Sequence, residues 1–291
     1  LATAVVAVKA TGKGHGHWSG APSAWFDGDW IYLAYRVRAP ISKGRGGYVV
    51  VARSRDGVHF EELCRIHKAQ MKCESLERPD LMRLPNGRWR LYVSCATVGS
   101  KHWRVELLEA DDPADFGQAS SVVVMPGDDD WGVKDPVIDF SDGNWRAFAT
   151  FHPLKPRRHE DRMYSWYATS PDGIAWDWKG AVLVGRPRMW DRRGTSICAV
   201  TFGEGVVTAY YNGRGTPDWN VKERYEERLG MAIGSDPMSL AAVGDAPVAE
   251  EPGGKGLRYL EILRVPGGHR FYYELGRQDG SHDLMTDFRP D

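Results

Sequence analysis

No apolar run in this 291-residue chain approaches the ~18 residues that a membrane-crossing helix needs. No charge surplus is present either: Lys+Arg 38 stands against Asp+Glu 39, whereas a nucleic-acid-binding chain ordinarily carries a basic excess. Cysteine is scarce, and Cys64, Cys73, Cys95 and Cys198 form neither a C-x-x-C nor a zinc spacing. Free thiols are therefore expected, with Cys64 and Cys73 the only pair spaced for a bridge. The segment GKGHGH (12–17) lacks the phosphate-loop spacing and no helix pattern follows it. No dinucleotide fingerprint, no Ser/His/Asp order and no long amphipathic helix is visible. The acidic run DDDW (128–131) reads as a solvated turn rather than a calcium loop. Neither a metal nor a cofactor is expected; with no leader pattern at Leu1 the expected compartment is the cytoplasm, with a secreted mature form as the alternative.

Aromatic residues are plentiful: 12 Trp and 12 Tyr, within a hydrophobic content of 42% that suffices for a core. Aromatics favour strands, and they also make flat apolar platforms for sugar rings. They recur in a pattern. APSAWFDGDWIYLAYR (21–36), RPDLMRLPNGRWRLYVSC (78–95) and DPVIDFSDGNWRAFATFH (135–152) each run from a proline through a short strand, an Asp-Gly or Asn-Gly turn and an aromatic strand. Such turns between β-rich runs are hairpin signals. Pro22, Pro79 and Pro136 are evenly spaced, 57 residues apart. GTSICAVTFGEGVVTAYYNGR (194–214) and RYLEILRVPGGHRFYYELGR (258–277) supply fourth and fifth copies. A Ser-x-Asp-Gly turn follows in the first and third units, and RLGMAIGSDPMSL fills that slot in the fourth.

Five units of about four strands predict an all-β, five-bladed β-propeller occupying residues 1–291 as one domain. The expected blades are 20–70, 77–127, 133–185, 193–248 and 257–288. The last is one strand short, and the apolar segment 2–10 is expected to close it. A two-domain β-sandwich is the alternative, but it leaves the even spacing unexplained.

In a propeller the innermost strands all start at one face, so residues far apart in sequence converge there. Lys134, Asp135 and His152 then share one mouth. Joining them are Glu77, Arg78 and Asp80, Arg193, Tyr259 and Glu261 at strand starts, with Arg36 and Asn212 at strand ends. Trp131, His17 and Trp18 are expected at the rim. Several carboxyls among cations and aromatics suit glycosidic-bond chemistry, where one carboxyl protonates the leaving oxygen and another activates water or attacks. The expected catalytic set is Asp135, Glu77, Asp80 and Glu261. Arg36, Arg78, Trp131, Lys134, His152, Arg193, Asn212, Tyr259, His17 and Trp18 are the expected binding set. The expected partner is a small carbohydrate, with neither nucleic acid nor membrane involved.

With those residues in hand, the chain resembles the five-bladed propeller glycosidases, most closely glycoside hydrolase family 130 and more distantly family 43. The motifs are YLAYRV, SRDGVHFE, KDPVIDFSDGNWRAFATFH, GVVTAYYNGR, RLGMAIGSDP and FYYELGRQDG, spread from Ser19 to Thr286. The resemblance implies the propeller fold and glycoside cleavage in the central well. Where family 130 carries Glu-Asp-Pro-Arg, this chain has Glu77-Arg78-Pro79-Asp80; its phosphate-binding histidine is Asn212 here. Against family 43, the base position is Ala21, the acid position falls in Arg193-Gly194-Thr195, and only Asp135 remains, at the pKa-modulating place. Water is accordingly the expected acceptor. A non-catalytic carbohydrate-binding propeller and a phosphate-using phosphorylase stay open as alternatives.

Overall fold

The Ser-x-Asp-Gly turns fold identically in two units. Ser54 Oγ accepts from the N–H groups of Asp56 and Gly57, while Asp56 Oδ1 accepts from Val58 and His59. Ser170 and Asp172 repeat all four bonds with Asp172, Gly173, Ile174 and Ala175. Each turn needs a positive φ at its fourth residue, which glycine supplies at Gly57 (72°) and Gly173 (75°). The freed carbonyl is used from outside the unit: Tyr272 donates to Gly57 O at 3.0 Å and Tyr92 to Gly173 O at 2.8 Å.

The computed structural model describes residues 3–156, 159, 162–215 and 227–291. Residue 2 of the expected closing strand, and parts of the third and fourth expected blades, lie outside them. After β1 (Val5–Val8), the first blade is β2 (Trp18–Phe26), β3 (Ile31–Arg38), β4 (Gly46–Ser54) and β5 (Glu61–His67). The second is β6 (Ser75–Arg83), β7 (Trp89–Ala96), β8 (Trp103–Ala110) and β9 (Ser121–Met125). The third is β10 (Trp131–Ser141), β11 (Asn144–Pro153), β12 (Tyr164–Ser170) and β13 (Asp177–Leu183). The fourth is β14 (Gly194–Gly203), β15 (Val206–Arg214), β16 (Glu227–Gly234) and the short β17 (Ala241–Ala242). The fifth is β18 (Leu257–Val265), β19 (Gly268–Gly276) and β20 (His282–Pro290), completed by β1.

Strand β1 pairs antiparallel with β20, Val5 opposite Thr286 and Val6 opposite Met285. A parallel pairing of Trp18 with His282 links the first and fifth blades into one sheet. Apolar side chains fill the space between each neighbouring pair of blades. Val49 packs with Leu91, Tyr92 with Ala147, Phe148 with Ile197, Cys198 with Leu257, and Tyr272 with Leu33 in five separate clusters. Each fully buried Leu or Phe in them contributes about 1.5–3 kcal/mol. All four cysteines are free, and Cys73 interacts with Cys95 rather than Cys64, so the pairing suggested by spacing does not form.

Every innermost strand carries a bulge against its partner. The register slips between Gly20 and Ser23, Leu76 and Pro79, Lys134 and Val137, Ile197 and Ala199, and Arg258 and Glu261. In four blades two residues are skipped: Ala21-Pro22, Glu77-Arg78, Asp135-Pro136 and Tyr259-Leu260. Pro79 therefore sits one place past the position of Pro22 and Pro136, and the even proline spacing misaligns the second blade. Glu77, not a residue of 78–80, is level with Asp135.

Candidate active site

Three of these bulges hold a non-glycine residue in the left-handed region: Ala21 at φ 51°, Asp135 at 51° and Tyr259 at 55°. That conformation costs an L-residue about 1–2 kcal/mol, and the preceding blade secures two of them. Ser94 Oγ on β7 accepts from the Asp135 N–H at 2.8 Å, and Asn212 Oδ1 on β15 accepts from the Tyr259 N–H at 2.8 Å. Asn212, expected to contact substrate, is 2% exposed and spends its carbonyl oxygen on this backbone bond.

Asp135 is buried at the channel mouth. Lys134 Nζ donates to its Oδ2 at 2.8 Å, and the Tyr259 hydroxyl lies 3.4 Å from the same oxygen. Tyr259 belongs to the fifth blade and Asp135 to the third, so this contact crosses the channel. Burial and the Asp135 charge push the Tyr259 hydroxyl well above its usual range, so it keeps its proton. Asp135 Oδ1 is buried and has no hydrogen-bond partner among the described residues. His152 shares the mouth, opposite Gly132 in the register. A Cβ at Gly132 would lie 2.3 Å from His152 Nε2, so only glycine admits the ring. Burial, aided by Lys134, lowers the His152 pKa to about 3; the ring is neutral and its Nε2 has no partner among the described residues.

Glu77 stands in the same layer but is bound to arginine. Arg36 and Arg38 both donate to it, and although burial alone would raise its pKa, Arg36, Arg38, Lys134 and Arg45 hold it at about 2. Arg36 also donates to Glu274 Oε2 at 2.6 Å; Arg258 reaches Glu274 Oε1 at 2.6 Å and Glu227 Oε2 at 2.8 Å; His282 Nδ1 lies 2.6 Å from Glu274 Oε1. This buried network ties together the first, second, fourth and fifth blades. Gly20 makes room for it, since a Cβ there would meet Glu274 at 2.1 Å. Trp18, expected at the rim, is 1% exposed and lies beneath the guanidinium groups, with Arg38 at 4.4 Å and Arg258 at 4.7 Å from its ring. Arg36 is likewise 1% exposed and engaged by two glutamates.

Asp80 and Glu261 form a deeper layer. Arg78 reaches across the channel to Glu261 Oε2 at 3.2 Å, while its Nε and Nη1 have no partner among the described residues. Asp80 Oδ2 accepts from the Ile138 N–H at 3.3 Å. Desolvation dominates here, raising Asp80 to about 7 and Glu261 to about 8 against the pull of Arg78. The expected carboxyl set thus divides into Glu77 and Asp135 at the mouth and Asp80 and Glu261 below.

The remaining expected residues are less central. Trp131 is half-buried in an aromatic group with Phe151, Tyr164 and Trp166. Arg193 precedes β14 and donates its N–H to Arg214 O at 2.8 Å. His17 is half-buried beside Gly12. Asp128 Oδ1 closes the acidic turn by accepting from the N–H groups of Asp130 and Trp131. Sequence reasoning missed Arg38, Arg45, Trp103 and Glu227. Arg38 lies two residues beyond Arg36 on β3, so strand alternation puts both on one face; Arg45 sits in a loop and gives no such signal. On the opposite face, an open depression of about 560 Å³ is lined by Trp25, Phe26, Arg83, Leu84 and Phe140, away from these carboxyls.

Solved structures share this fold across nearly the whole chain. One is a β-1,2-mannobiose phosphorylase from Listeria innocua bound to β-1,2-mannobiose, 16% identical at a TM-score of 0.68, covering 97% of this chain and 92% of that one. A second is a thermostable family-43 glycoside hydrolase, 14% identical at a TM-score of 0.69, covering 93% and 89%. A third comes from work on family 130 of mannoside phosphorylases and its glycoside hydrolases targeting β-1,2-mannosidic linkages in Candida mannan. It is 15% identical at a TM-score of 0.66, covering 98% and 87%. No family model matches the sequence, and no curated protein does.

Proposed function

We propose that the chain is a glycoside hydrolase that seats the scissile bond in the channel mouth over Asp135 and uses water as acceptor. The observation that carries this reading is the Asp135 carboxylate, with one oxygen fixed by Lys134 and Tyr259 and the other uncommitted. A buried acceptor without a partner costs about 1–3 kcal/mol, which a water or a sugar hydroxyl would relieve. The fixed carboxylate suits removal of a proton from that water, or support of positive charge at the anomeric carbon. Glu77, held as an anion by arginine, orients Arg36 and Arg38 rather than donating. Glu261, raised to about 8, retains its proton at neutrality, whereas Asp80, at about 7, is divided between its two forms; Glu261, whose side chain is 17% exposed, is the more reachable donor. The glycoside-acting proteins that share the fold support the same class of chemistry.

Phosphorolysis is the second reading, favoured by the four cations, Arg36, Arg38, Lys134 and Arg45, that act on Glu77. A panel of aryl glycosides and disaccharides, assayed with and without inorganic phosphate, separates the readings. Free sugar released independently of phosphate supports hydrolysis, whereas sugar phosphate released only with phosphate supports the second reading. Sugar binding without turnover of any glycoside identifies a binding module instead.

A further inference from the structure

Arg45 lies in the loop between β3 and β4, and the hydrolytic reading gives it no role. Its backbone is left-handed, with φ 60°, and is pinned by its N–H to Pro40 O at 3.2 Å and by its carbonyl, which accepts from Ala39 N at 2.9 Å. The guanidinium stands 5.3 Å from the centroid of Trp103, and Lys134 Nζ stands 5.6 Å from the same ring. Its charge is felt by Glu77 and by His152. Among the described residues no carboxylate lies within ion-pairing distance of Arg45, and its Nε is buried without a partner. His152, 3% exposed, presents a second partnerless nitrogen to the same region.

We propose that Arg45, with His152 and Lys134 beside it, binds a carboxylate carried by the substrate, so that the preferred glycoside contains an acidic, uronate-type sugar. This deepens the glycoside reading and rests on it. A strained loop that holds a guanidinium against an indole face presents a planar donor fork, the geometry that suits a carboxylate. The charge balance favours a monoanion. Lys134 is already matched by Asp135 at 2.8 Å, and His152 brings no positive charge at neutral pH. One guanidinium therefore complements a single negative charge better than a phosphate dianion.

The test is calorimetric binding of free glucuronate, galacturonate and mannuronate against the parent hexoses, in phosphate-free buffer, to the full chain and to Arg45→Gln and Arg45→Lys. At least one uronate should bind about tenfold or more tighter than its hexose. Arg45→Gln should abolish that margin and Arg45→Lys should keep part of it, with unchanged melting temperatures certifying both folds. Equal affinity for acid and neutral sugars, absence of binding by all of them, or a margin that survives in Arg45→Gln would overturn the proposal. So would inorganic phosphate that binds through Arg45 and drives turnover. Cleavage of neutral glycosides with no gain from a uronate sinks this inference and leaves the hydrolase reading intact. Uronate binding through Arg45 without cleavage of any glycoside does the reverse.

Discussion

Asp135 combines a strained backbone, a lysine on one oxygen and no partner on the other, a set of features that stability alone would not select. Asp135→Asn preserves size and the backbone bond to Ser94 while deleting the charge. Turnover should fall at least ~100-fold, the lower range for a positioned acid or base, with a melting shift of about 4 °C at most. Steady-state kinetics on the best glycoside, paired with calorimetry, decides the matter; near-normal turnover removes Asp135 from the chemistry. Glu261 makes a different prediction, through linkage. Its folded pKa, about 8, lies above the ordinary carboxyl value, so the folded state binds the extra proton. Its contribution is complete below about pH 4.5 and is lost as pH rises through about 8. Glu261→Gln should therefore flatten the decline in stability across that window and gain about 1–3 kcal/mol at pH 8. Denaturant titrations at pH 5 and pH 8 would show it, and an unchanged slope would refute the assignment.

Among the elements, the hairpins were legible and the bulges were not. Asp-Gly and Asn-Gly turns and period-two aromatics mark strands by local rules, so the four-strand units and the closing role of β1 could be read directly. A bulge inserts residues without a compositional mark, which is why evenly spaced prolines misplaced Pro79 and hid the level of Glu77. Asn212 shows a related ambiguity: a strand-end polar group facing the channel can serve a neighbouring backbone as easily as a ligand. Asn212→Ala should leave the Tyr259 N–H buried without an acceptor and cost about 1–3 kcal/mol in denaturant unfolding; a neutral result would return the side chain to the ligand set. Removing residues 1–9 should strip β1 from β20, lower the melting temperature and expose a sheet edge that drives self-association. Light scattering against concentration checks this, and a monodisperse, equally stable truncation would show the pairing to be dispensable.

For the whole molecule, opposite pKa shifts set the pH of greatest stability. Glu77 and Glu227 are held at about 2 by their arginines, and Glu274 lower still. Such depressed groups contribute fully above about pH 4.5 and lose that contribution as pH falls through their folded values. Asp80 and Glu261 act in the opposite sense above pH 4.5. Thermal stability should therefore peak near pH 5 and fall on both sides; a maximum at pH 8 would contradict the network. The acid limb should respond little to salt, because these pairs are buried.

The pairing of Val5–Val8 with β20 also imposes an order in time. During synthesis β1 emerges before the other described strands, while its partner β20 emerges after them. Four blades can fold as they leave the ribosome, but the ring stays open, with the β20 side of the seam missing, until the last strand is made. Nascent chains stalled before residue 282 should be digested by protease at Val5–Val8, and only those extended past residue 290 should resist.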